Sequence, residues 1–94
     1  MFNNTLVRIF SNPSSVNYLK TIYGNFQPYS KKIVFGDDLE IEITNRLFCN
    51  IDSLINKENY VEVDGEKYKI IDVKQWDDYL EVYLYKLKRQ VHSV

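Results

Sequence analysis

The sequence predicts an all-β protein, a small antiparallel β-barrel of about six strands with one long irregular loop. Three observations predict it. The stretch from Tyr60 to Lys88 reads as three strands in a row joined by tight turns. Residues Leu39 to Thr44 alternate without fault, with Leu39, Ile41 and Ile43 inward and Glu40 and Glu42 outward. Between such runs lie turn-forming residues, and no apolar pattern of helical period is long enough for a long helix. A meander alone leaves an apolar face and two open edges, so the rest of the chain is expected to close it.

Taken in order, Thr5 to Phe10 is a strand whose apolar set is broken by Arg8, and Ser11 to Ser15 is a turn by composition. Val16 to Gln27 is ambiguous. Tyr18, Leu19, Ile22 and Tyr23 have roughly helical spacing, whereas Thr21, Ile22 and Tyr23 favour a strand, and the β surroundings favour the strand. Gly24-Asn25 marks a bulge or bend. Phe26 to Asp38 lacks a period. It is expected to be an exposed irregular loop, either functional or a plain connector, with a turn at Gly36-Asp37-Asp38. Asn45 to Cys49 extends the Leu39 strand past a bulge. Asn50 to Glu58 is a turn or short helical turn that Asp52 caps, with Leu54 and Ile55 tucked inward. In the meander, Val61 and Val63 face away from Glu62, and Asp64-Gly65 is a hairpin signal because a type I′ turn needs positive φ at both central residues. Lys67 to Lys74 has apolar residues on both faces, Tyr68 and Ile70 against Ile71 and Val73. Tyr79 to Leu87 sets Leu80, Val82 and Leu84 against Glu81, Tyr83 and Tyr85. A polar tail follows from about Arg89.

Ninety-four residues make one domain. The formal charge of −1 argues against a protein that works by neutralising phosphates. A single cysteine, Cys49, excludes an internal disulfide and a cysteine-based zinc site. No apolar run is long enough to span a membrane, and the first residues lack the pattern of a secretion signal, so a soluble chain made in the cytoplasm is expected. The residues offer little chemistry. His92 is the one histidine and falls in the tail, and Cys49 has no CxxC partner. The pairs Asp37-Asp38 and Asp77-Asp78 fit turn formers better than acid–base or cation sites. No catalytic, cofactor or metal residue is assigned, and no enzyme activity is expected. Aromatic content is high at 15%, and Trp and Tyr favour interfaces. Trp76 folds back over one end of the barrel or serves as an exposed anchor. With Tyr79, Tyr83 and Tyr85 it makes the candidate subunit or partner interface. A small SH3- or OB-like module that binds a peptide or single-stranded nucleic acid through these rings is the alternative, although Asp77-Asp78 and Glu81 lie among them.

The opening MFNNTLVRIF, the central Asn45 to Asn50 and the meander VEVDGEKYKIIDVKQWDDYLEVYLYKLKR, with the chain length, resemble the head-closure (stopper) or head–tail connector proteins of tailed bacteriophages and their prophage-encoded relatives. That resemblance implies a β-barrel subunit of a homo-oligomeric ring in the virion neck, made in the host cytoplasm. It implies portal or adaptor proteins on the head side and a tail terminator or tail tube on the other. Relatives carry a loop toward the channel that helps to retain DNA. Its positional match here is Gln27, Pro28, Tyr29, Ser30, Lys31 and Lys32. Neither cofactor nor membrane is implied.

Overall fold

The computed structural model describes residues 4–36 and 39–87. The expected turn at Asp37-Asp38, the expected tail and His92 lie outside the described residues. Six strands follow in order: β1 Thr5–Phe10, β2 Lys20–Phe35, β3 Leu39–Asn50, β4 Tyr60–Val63, β5 Glu66–Gln75 and β6 Tyr79–Lys86. They form one antiparallel sheet in the order β1-β2-β3-β6-β5-β4, and β4 pairs back onto β1 so that the sheet closes on itself.

The alternation expected for the outer strands decides what lies inside. Val7, Ile9, Leu47, Val61, Ile70, Val82 and Leu84 are fully buried and pack in one cluster. Each such side chain contributes roughly 1.5–3 kcal/mol by leaving water, as an upper estimate. Local chemistry fixes the turns. Asp64 and Gly65 both have positive φ, 52° and 81°, and join Val63 to its partner Glu66 as the type I′ signal requires. Asp52 accepts the Leu54 amide at 3.0 Å and its carbonyl accepts the Ile55 amide at 3.1 Å. This places Ile55 in the core with Leu54 packed beside it. Burial alone would raise the Asp52 carboxyl. The hydrogen bonds from Lys20 and the Leu54 amide, with the Lys20 charge, outweigh it and hold the carboxyl below its ordinary value.

Three expectations are corrected. First, the expected irregular loop is a strand as far as Phe35: β2 runs unbroken from Lys20, so Gln27, Pro28, Tyr29, Ser30, Lys31 and Lys32 lie in it. The pattern misleads because β2 carries one extra residue. Pro28 pairs with Asn45 but Lys31 pairs with Ile43, so the alternation changes phase between them. Pro28 is tolerated because, among the described residues, β2 has no partner there on the side away from β3. Second, there is no irregularity at Gly24-Asn25; β3 does run on through Asn45 to Cys49, and the ladder shifts between Ile43 and Asn45 as expected, but the extra residue belongs to β2. Gly24 instead permits a close approach: a Cβ there would lie 2.7 Å from Leu47 Cδ1 and 2.8 Å from the Phe48 carbonyl oxygen. Third, Ile71 and Val73 do not share a face. Ile70 pairs with Leu84 and Asp72 with Tyr83, so Ile71 is the extra residue of a second bulge. Past it Val73 returns to pack against the core. The ambiguous Val16 segment becomes a strand only from Lys20.

The bulge in β2 coincides with a change of surroundings. β2 pairs with β1 through Lys20–Gly24, and β3 pairs with β6 from Asn45 onward. Past these points Lys31–Phe35 and Leu39–Ile43 pair with each other alone among the described residues. They make a two-stranded arm about 17 Å long that leaves the closed sheet. The Thr44 hydroxyl marks the parting of β3 from β6, accepting the Lys86 amide at 2.9 Å and donating to the Leu84 carbonyl at 3.4 Å.

Candidate interaction surface

The outer face of β6 carries Tyr79, Glu81, Tyr83 and Tyr85, because Leu80, Val82 and Leu84 turn inward. Glu81 is nonetheless only 7% exposed. Its neighbours bury it. The closed sheet sets β3 beside β6, with Phe48 opposite Glu81 and Arg46 opposite Tyr83. Arg46 Nη1 lies 3.3 Å from Glu81 Oε2. The Tyr83 hydroxyl donates to the same oxygen at 3.1 Å, and Trp76 Nε1 donates to Oε1 at 3.2 Å. Three donors on one carboxylate satisfy it, as a charge taken from water requires. Burial, the Glu81 hydrogen bond and the Glu81 charge push the Tyr83 hydroxyl above its ordinary value, Tyr29 adds to this, and Arg46 opposes it.

Arg46 is held on its other sides too. Its Nε and Nη2 donate to Gln27 Oε1 at 3.3 and 3.0 Å. Its guanidinium lies 4.4 Å from the Tyr29 ring centre and 5.0 Å from that of Phe48, within cation–π range. Tyr29 stacks on Tyr83 at 5.8 Å, and Lys31 lies 5.6 Å from the Tyr83 ring. Trp76 stacks on Tyr79 at 6.2 Å under the Lys74 ammonium, 4.3 Å away, and stays 41% exposed. It therefore lies along the outer face and does not cover the core.

Both groups of residues singled out in the sequence thus meet in part. Gln27, Tyr29 and Lys31 join Trp76, Tyr79 and Tyr83 in one aromatic patch around the Arg46–Glu81 pair. Tyr85 stands apart. With Ile41, Thr44, Tyr60, Lys69 and Ile71 it lines a groove of ≈ 890 Å³ between the base of the arm and β4 to β6. Lys69 lies over the Tyr60 ring at 4.5 Å. Pro28, Ser30 and Lys32 belong to the arm side, where Ser30 donates to Glu42 at 3.5 Å and Lys32 lies 3.5 Å from Glu40. The sequence reading missed Arg46 and Glu81. Their outward parity and opposite charge are visible in the sequence, but the pairing of β3 with β6 that joins them is not.

Rings and charges make up this surface, and among the described residues no nucleophile is assembled on it. Cys49 is fully buried, and burial, aided by the Asp52 charge, pushes its thiol up to about 12. Such a thiol is inert at neutral pH. Among the described residues no three His, Cys, Asp or Glu side chains gather in a way that could hold a metal ion. A scan against protein-family models finds none that matches this chain, and a search of curated proteins finds no match.

Proposed function

We propose that this protein is a structural subunit of a tailed-bacteriophage neck: a ring-forming head–tail connector, or stopper, that closes the DNA-filled head and gives the tail a docking surface. The observation that carries the reading is the arm of β2 and β3 leaving a small closed sheet, which we take as a β-barrel. A ring subunit needs a compact body, an extension that reaches a neighbour or the channel, and outer surfaces for contact. The aromatic patch around Glu81 has the rings and the arginine that such contacts favour. In this reading the arm takes the place assigned to the channel loop, and packaged DNA lies near Lys31 and Lys32. Portal or adaptor proteins lie on one side of the ring and the tail terminator or tail tube on the other. The role calls for no catalytic group.

Electron microscopy of particles made with and without the gene tests it. Filled heads that leak DNA and lack tails, with a neck ring that vanishes on deletion, are expected. Tailed, infectious particles without the protein overturn the reading. The groove with Tyr60 and Tyr85 supports a second reading, an SH3- or OB-like module that takes an extended peptide. Peptide capture lost on Tyr85→Ala, from a protein dispensable for tail joining, would favour it.

A further inference from the structure

Closure of the sheet pairs β4 with β1 and leaves open edges on the arm. From Asn25 on, β2 has no partner on its far side, and Leu39–Ile43 of β3 have none on theirs, among the described residues. Such edges are templates for another strand. The two edges differ in charge. Lys32 lies on β2 and shares a face with Glu40 and Glu42 of β3, whereas Lys31 is on the other face, opposite Ile43. On one face of the arm Lys32 is opposite Glu42, and Val34 is opposite Glu40. On the other, Ile33 is opposite Ile41, beside Leu39, which is 57% exposed.

We propose that the occupant of these edges is a second copy of this chain, with β3 of one arm pairing antiparallel to β2 of the next. The proposal rests on the ring reading. Charge decides the pairing. Two β2 edges would set lysines against lysines, and two β3 edges would set glutamates against glutamates. Like charges across a ladder are destabilising. Only β3 against β2 repeats, between copies, the match that Lys32 and Glu40 already make within one arm at 3.5 Å. The contact is heterologous, so each added copy leaves one lysine edge and one glutamate edge, and the series ends only by closing into a ring. Arms related by rotation about an axis along their length point the same way, which makes neighbouring strands antiparallel, as inside the arm. Pro28 has no N–H to donate, so pairing begins past it, at Lys31. The rows of Ile33, Ile41 and Leu39 then join into one apolar band.

The test uses the full chain with single cysteines on the apolar face, Ile33→Cys in one preparation and Ile41→Cys in another, leaving all four charges in place. Cys49 is fully buried and does not compete. Equal amounts are mixed at high concentration and oxidised mildly, with exposed Ser53→Cys as the control. Cross-links between 33 and 41 are expected to exceed 33–33 and 41–41 by about fivefold, the ratio that 1 kcal/mol of charge pairing gives. Lys32→Glu should abolish that excess, and adding Glu40→Lys with Glu42→Lys should restore it. Unchanged Trp76 fluorescence certifies the fold of each variant. Equal yields of the three products, or none above the control, overturn arm pairing. A neck ring seen in particles without the 33–41 cross-link sinks arm pairing alone. The cross-link in a protein dispensable for tail joining sinks the connector reading alone.

Discussion

β2 and β3 each live in two environments. From Lys20 to Gly24, β2 has β1 on one side, and from Asn45 to Asn50, β3 has β6 on one side. In the arm, among the described residues, the same two strands have only each other. Their side chains differ accordingly: Leu47 and Cys49 are fully buried, as is Ile43 at the base of the arm, whereas farther out Val34 is 65% exposed and Leu39, expected to face inward, 57% exposed. Strand character is thus set by pairing, but stability is set by what the faces bury. An arm that buries little can be a strand and still open easily.

The widest contrast is a matched pair of truncations. Leu47→Ala empties a fully buried site and should cost about 2–5 kcal/mol in urea unfolding, whereas Leu39→Ala in the arm should stay within about 0.5 kcal/mol. Equal effects would show that arm and body are one cooperative unit. Gly24→Ala probes the last β2 position paired on both sides. The added methyl meets Leu47 and the Phe48 carbonyl at 2.7 and 2.8 Å, and about 1–3 kcal/mol should be lost. An unchanged midpoint would mean that Leu47 shifts at no cost. Glu81→Ala strips the acceptor from Arg46, Trp76 and Tyr83. It should cost about 1–3 kcal/mol and change the emission of Trp76, the single tryptophan. Were the fluorescence unmoved, the patch would not be organised around that carboxylate. The smallest effect concerns pH. Asp52 is held below its ordinary value when folded, so its contribution is present above the unfolded pKa, about 3.9, and fades as pH falls through the folded one. Lys20, its partner at 2.6 Å, is half exposed, so screening keeps the contribution under about 1 kcal/mol. Wild type and Asp52→Asn should differ at pH 6 and converge in acid, and a constant gap would place the effect in the loop geometry.

Much of the body was legible because its signals are local. Asp64-Gly65 names its own turn, and the alternation of Leu80, Val82 and Leu84 fixes the inner face of β6 without reference to any other strand. The bulges were not legible. One extra residue between Pro28 and Lys31, and another at Ile71, shifts the period-2 pattern by a step. A strand with a phase change looks like no strand at all, which is why the β2 half of the arm read as loop. The site was half legible. The outward tyrosines follow from parity. The burial of Glu81 depends on β3 lying beside β6, and those strands are separated in the chain by β4 and β5.

The seam between β1 and β4 has a kinetic consequence. Among the described residues it is the shortest ladder of the closed sheet, three paired positions against four between β4 and β5, and it joins Arg8 to Glu62 across 54 positions of chain. Loop-closure entropy must be met before such a contact returns anything. The hairpins are expected to form first and the seam last, so weakening the seam with Val61→Ala should speed unfolding and leave the refolding rate nearly unchanged. A refolding rate that falls with stability would put the seam in the folding nucleus, and closure would then be the event that starts the fold.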